Sequence, residues 1–370
     1  GEALRQLGIA HYRNGDPALA VDALTRALAI LPDDPDARYY LGLAELQEEN
    51  AGAAIQNWRR HFDPAHPRVQ EAVNQQLTLV EIRRSIQLAR KAIADEQTLK
   101  TQAPKPGSVA VFYYYDATPD HQYRYLQKAL AAMIITDLSQ VKRLTVVERL
   151  QVQYLLDEMA LGRTDVIDPE TAPRTGRLLG AESLVVGTLD SGSIQSETAV
   201  ASTVKQEVIR TFPVAGEEQD FFVLEKEIVA NILETLRVAP TPAEKQSVDK
   251  YHTKSFPAVL CYGQALDAQD KGLWKDARAY YQCALEADPK FGLARYGLDH
   301  CPADNDPGIA ELSRMSTAEL AEEAESRIGY ARIQDNRAAD RQAARAGKGD
   351  REDDDDGSSG GGRGDVSVSW

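Results

Sequence analysis

The sequence predicts an α+β multidomain chain in which all-α helix pairs flank a mixed α/β middle region, with an extended tail behind them. Three observations carry that reading. Small and large residues recur with a period of 34 over the first 66 residues. Pro104, Pro106 and Gly107 then punctuate the chain, and strands begin to alternate with helices. The opening pattern returns near the C-terminus. The segments expected from these breaks are 1–102, 108–238, 250–346 and 347–370.

In the first segment Leu7-Gly8, Gly15, Ala20, Leu24, Ala27 and Pro32 recur 34 residues later as Leu41-Gly42, Glu49, Ala54, Trp58, His61 and His66. Small residues at 8 and 20 let one helix of a pair approach the other. Large residues at 7 and 24 are expected to fill the seam, and Pro32 stops the second helix. From Pro67 to about Lys100 a long amphipathic run reads as one or two helices that close the stack, since an open stack leaves an apolar face in water. The third copy places Gly272, Trp274, Ala277, Tyr281, Ala284 and Pro289 at the same offsets, and the segment after it starts another helix.

These copies resemble tetratricopeptide repeats. The resemblance implies protein–protein contact through the concave face of the first helices, where Arg5, Ile9, Tyr12, Asp36, Tyr39 and Leu43 fall. The Lys/Asn carboxylate clamp of some relatives is not reproduced there. A partner groove and a scaffold for the chain's own neighbouring domain are both open.

In the middle region Val109–Tyr115 reads as a strand and Tyr123–Leu138 as a helix. Leu144–Val147 is a short strand, Arg149–Met159 a helix, and a helix starting at Asp168-Pro169 ends at Gly180. Ser183–Leu189 reads as a buried strand, followed by two polar, alternating strands, Ile194–Val204 and Gln206–Val214, and a helix over Asp220–Arg237. VAVFYYYDA, the run from Tyr125 to Met159, and DPETAPRTGRLLGAESLVVGTL resemble, in that order, the CsgG-like domain of the curli-secretion lipoprotein family. The resemblance implies side-by-side association and, in some members, a pore. The connections 118–123 and 191–215 are short for membrane hairpins, whose spanning strands take ~9–11 residues each, so the fold is carried over and the channel is not.

Composition narrows the function. With 42 Lys+Arg against 57 Asp+Glu the net charge is −15, and no basic face is evident, which argues against nucleic acid. No stretch reaches the ~18 apolar residues of a membrane helix. The opening at Gly1 without Met or a targeting segment fits a processed mature form or a trimmed chain. P-loop, GxSxG, HExxH and Cys/His metal spacings are missing, and no enzyme, cofactor or metal is expected. His11 and His61 sit on repeat positions and read as packing or surface residues. Glu148-Arg149 and Asp157-Glu158 read as ordinary charges of a helix start and a solvated face.

Cys261 and Cys283 occupy repeat positions 4 and 26 of the third copy, close across a helix hairpin, so a disulfide is thinkable, as are buried free thiols. Glu352–Asp356 followed by Gly357 fits a calcium loop loosely and reads as a solvated charge run, since Arg363 stands where the loop needs Glu. Arg363-Gly364-Asp365 is a cell-adhesion tripeptide that such a composition produces by chance.

Beyond this Gly-rich linker Val366, Val368 and Trp370 alternate with two serines, the pattern of a half-buried strand. A strand that short needs a sheet edge; a disordered end is the alternative. Together these readings lead to a non-enzymatic structural protein of the bacterial envelope or exterior. It would associate with other copies of itself into rings or filaments by adding Val366, Val368 and Trp370 to a neighbour's sheet. The alternative is a periplasmic or outer-membrane accessory of export that holds another envelope or secreted protein on the concave repeat face.

Overall fold

A computed structural model describes residues 1–99, 103–159, 172–190 and 194–349. The expected helix start at Asp168-Pro169, the acidic run Glu352–Asp356, the Arg363–Asp365 tripeptide and the strand Val366–Trp370 lie outside the described residues.

Two helix hairpins open the chain: α1 (Glu2–Arg13) with α2 (Pro17–Ile30), and α3 (Pro35–Gln47) with α4 (Ala51–Trp58). Pro17 and Pro35 stand at the first helical turn, where no N–H is needed. Asp34 accepts from Ala37 N at 2.9 Å and Asn50 from Ala53 N at 3.2 Å, capping α3 and α4. Each hairpin turns through a left-handed residue at the same repeat offset. Gly15 takes φ 80° there and Gly272 φ 70°, whereas Glu49 adopts φ 58° with a side chain attached.

Leu24 fills the seam as expected, but Leu7 is half exposed while its counterpart Leu41 is buried. α3 has α2 against it, whereas among the described residues no helix beyond α2 and α3 packs closely on α1.

The stack is closed by one 28-residue helix, α5 (Pro67–Ala94), and the short α6 (Glu96–Leu99).

The middle region is a mixed sheet. Its strands are β1 (Lys105–Val111), β2 (Tyr115–Asp116), β3 (Thr145–Val146), β4 (Ala181–Asp190), β5 (Ile194–Ser202) and β6 (Glu207–Gly216), in the order β3-β1-β4-β5-β6 with β2 also on β4. β1 runs parallel to β3 and β4, and β4, β5 and β6 are antiparallel in turn.

The expected strand Val109–Tyr115 is broken into β1 and β2. Between them Tyr114 turns inward, its hydroxyl 3.0 Å from Thr198 Oγ1. Asp116 then accepts from Thr118 N and Tyr123 N and holds a tight loop, so α7 starts at Leu126 rather than at Tyr123. α7 (Leu126–Leu138), α8 (Arg149–Glu158), α9 (Ala172–Leu178) and α10 (Phe221–Thr235) complete the layer.

After α11 (Pro242–Val248), whose Thr241/Glu244 pair forms a capping box, come α12 (Phe256–Asp270), α13 (Trp274–Ala287) and α14 (Gly292–His300). α15 (Ile309–Leu312) and the 33-residue α16 (Thr317–Gly349) end the described chain.

Beside a small core between β1, β4 and α8 (Phe112, Val152, Leu156, Leu184), two large cores result, and they do not follow chain order. One runs from the sheet through α7 and α10 into α12, α13 and α14. The other runs from α1–α5 through Tyr154, Leu155 and Trp274 into Leu320, Ala321, Ala324, Ile328 and Ala331 of α16. The last described helix therefore packs with the first module. No described helix is long and apolar enough to cross a membrane.

Candidate functional site

The concave face of the first module is where the sequence placed a groove, and α16 lies in it, against α3 and α5. Ile9, Tyr12, Tyr39 and Leu43 are all buried. Tyr12 donates its hydroxyl to Glu325 Oε2 at 3.0 Å, and Arg332 lies over the Tyr39 ring, 5.7 Å from its centroid, while pairing with Asp36 at 2.6 Å. Burial and the nearby Glu325 carboxylate push both tyrosine hydroxyls far up, so neither ionises in the physiological range. Arg5 is the one groove residue turned elsewhere, to Asp34 at 2.9 Å.

Further along, Asp335 of α16 accepts from Arg68 N at 3.0 Å and Val69 N at 3.1 Å, and takes the Arg68 guanidinium at 3.0 Å. A carboxylate from the last helix thus caps the N-terminus of α5. Of the two roles the sequence leaves open for this face, a partner groove and a seat for the chain's own parts, the structure shows α16 seated on it. Nothing in the repeat pattern could reveal this, because the occupant lies about 300 residues away in the chain.

The third helix hairpin faces the α/β domain instead. Gly263 of α12 lies so close to α7 that a Cβ there would stand 1.8 Å from the Tyr125 carbonyl oxygen. Asp270, at the end of α12, is buried between Arg149 of α8 at 2.8 Å and Lys128 of α7 at 2.9 Å. Arg149 also reaches the Tyr113 hydroxyl at 3.3 Å.

The sequence reading of Arg149 as an ordinary helix-start charge is corrected by this burial. Burial alone would favour its neutral form, but Asp270 holds it charged. Asp157 and Glu158, by contrast, are exposed on α8, where Asp157 accepts from Gln153 Nε2 at 2.9 Å. Cys261 and Cys283 are joined as a disulfide between α12 and α13, with Cα atoms 5.9 Å apart. Cys301 is buried and free, its thiol pushed up to about 11 by burial.

The sheet offers β6 as its long edge, with Val208 60% and Ile209 48% exposed. This edge carries two devices that discourage another strand. Arg210 faces Val200 and Val208 faces Ala201, so Ile209 bulges out unpaired, and Pro213 has no N–H to give. The opposite edge, β3, is two residues long.

A third cluster escaped the sequence reading altogether. Asp137 of α7, Glu225 of α10 and His252 of the segment before α12 converge, with Lys226 beside them. Burial, then the neighbouring Asp137, raises the Glu225 pKa well above the carboxylate range. The three residues span 115 positions and form no local motif, so no spacing rule could find them.

The comparisons agree with this architecture. Residues 95–197 match the family model of the curli production assembly/transport component CsgG, and residues 5–67 match that of the tetratricopeptide repeat. Among solved structures, the C-terminal domain of LpoB from Salmonella enterica is similar at 12% identity over 34% of this chain and 94% of that one, with a TM-score of 0.27, too low to bear on function. No curated protein matches. The chain carries a CsgG-like domain joined to tetratricopeptide helix pairs.

Proposed function

We propose that this is a non-enzymatic, exported protein of the bacterial envelope that works as an interaction scaffold. Its first repeat module receives an amphipathic helix of an envelope or secreted partner, and α16 is the helix that fills the groove meanwhile. The observation that carries the reading is the mixed chemistry of the α16 contact. Apolar residues (Ala321, Ala324, Ile328, Ala331) share the contact with polar latches at Tyr12–Glu325, Arg332–Asp36 and Asp335–Arg68. A helix held in this way fits a groove that recognises helices by i, i+3, i+4, i+7 spacing. The CsgG family match supports the envelope setting.

The test uses the full chain with the latches weakened (Arg332→Ala with Asp335→Ala) and a labelled peptide of residues 317–343. The weakened chain is expected to bind the peptide, and the unaltered chain to bind it at least tenfold less. If neither binds while both stay folded, α16 is a permanent part of the module and the reading fails.

Self-association through Val366, Val368 and Trp370 is the second reading. Its support is the strict alternation of those residues, while the bulge at Ile209 and Pro213 weigh against β6 as acceptor. Light scattering and negative-stain microscopy on the full chain and on one ending at Gly364 separate the two. Polymers from the full chain alone support strand addition, and equal monomers exclude it.

A further inference from the structure

The strongest unexplained feature is the buried cluster of Asp137, Glu225 and His252. Three separate elements deliver it: the end of α7, the first half of α10, and the segment that leads into α12. Their ligand atoms all lie within 4.8 Å of one another. Asp137 and Glu225 are fully buried, and His252 retains a little solvent access. His252 Nε2 stands 3.0 Å from Asp137 Oδ1 without hydrogen-bond geometry. Both oxygens of Glu225 are buried without a hydrogen-bond partner. A carboxyl group left without a hydrogen bond in the interior is costly.

One cation is already present. The Lys226 ammonium contacts Asp137 and lies 3.2 Å from Glu225 Oε2. The Asp137 carboxylate and the Lys226 ammonium balance each other, Glu225 supplies a second carboxyl group, and the His252 imidazole adds a nitrogen donor. Two carboxylate oxygens and one imidazole nitrogen suit a borderline divalent ion better than calcium or magnesium, which take oxygens alone.

We propose that Asp137, Glu225 and His252 form a zinc site that ties the segment entering the third helix hairpin to the α/β domain. Around a tetrahedral zinc with ligands at ~2.0 Å the ligand atoms sit roughly 3.3 Å apart, so the observed spread closes by side-chain rotation alone. Lys226, partly exposed, swings outward as the ion enters, and a water or hydroxide takes the fourth position. The site is structural: it joins α7 and α10 to residues 249–255, where the chain leaves one module for the next.

The experiment loads EDTA-treated full chain with zinc, removes excess by gel filtration, and measures bound metal and melting temperature. The same is done for His252→Ala and Glu225→Gln, with far-UV circular dichroism as the check of folding. About one ion per chain is expected, with a rise in melting temperature, and each variant is expected to bind zinc at least tenfold more weakly. Failure to retain an ion overturns the proposal. So does equal retention in both variants, which moves the metal to another place such as the acidic run Glu352–Asp356. Because His252→Ala removes a partly exposed side chain and Glu225→Gln keeps the shape, loss of fold in one leaves the other to decide.

Discussion

The first and third helix hairpins are written in the same repeat code and are used in opposite ways. α12 and α13 press their seam into the α/β domain and share its core, with a buried ion triad at the contact. α1 to α4 belong to the other core, which α5, α16, Tyr154 and Leu155 of α8 and Trp274 extend, and their polar link to the α/β domain is a more exposed ion pair at Arg59–Glu148, 2.8 Å long. The repeat pattern therefore specifies how two helices meet each other. What the pair meets next depends on side chains outside the pattern: Gly263 and Asp270 in one case, Tyr12, Tyr39 and Asp36 in the other.

The comparison is most sharply tested at Arg149. Arg149→Ala leaves Asp270 buried with Lys128 alone, and a loss of about 3–5 kcal/mol is expected in urea unfolding. A double-mutant cycle with Asp270→Asn should recover a large part of it, because the stranded charge is then gone. If Arg149→Ala costs under about 1 kcal/mol, the third hairpin is held no more firmly than the first.

At the first module's seam the corresponding group is Glu81, 2.7 Å from Arg59 and pushed up to about 6 by burial, which Arg59 only partly offsets. The folded chain keeps this proton to about pH 6 while the unfolded chain releases it near 4.5. The seam therefore loses about 2 kcal/mol as pH rises through that window. Glu81→Gln should flatten the stability profile between those limits and leave it unchanged below them. Chemical denaturation at several pH values reads this directly.

Asp335→Ala removes the cap that α16 lends to α5 and is expected to cost about 1–2 kcal/mol. Hydrogen exchange should rise in α16 and at the start of α5, and stay as before in α12 and α13.

The smallest effect lies at the shared turn. Glu49→Gly relieves a left-handed backbone that carries a side chain and should stabilise the chain by about 1 kcal/mol. Gly272→Ala, at the same offset of the third copy, should destabilise by a similar amount. Thermal melts of the two variants are expected to move in opposite directions.

The sequence made the helix hairpins legible because their small and large positions recur at fixed offsets. The β4 strand was legible because Leu184, Val185, Val186 and Leu189 give its short run a buried, β-rich character. Leu7 misled because periodicity marks a position as seam-forming without saying whether a neighbour exists. Arg149 misled because helix-start charges are commonly solvated, and only the fold brings Asp270 to it. The filled groove and the Asp137–Glu225–His252 cluster were unreadable for one reason: each joins residues far apart in the chain whose meeting depends on the finished fold. Ile9, Tyr12, Tyr39 and Leu43 share one core with Leu320 and Ile328 of α16, which no repeat offset brings to them.

Closure of the first module by the last described helix has a consequence for biogenesis. Ribosomes extend a chain at about 5–20 residues per second, N-terminus first, so Tyr39 and Leu43 emerge tens of seconds before Leu320 and Ile328. During that interval the nascent chain shows an apolar trough with no lid, long enough for a chaperone to sit in it.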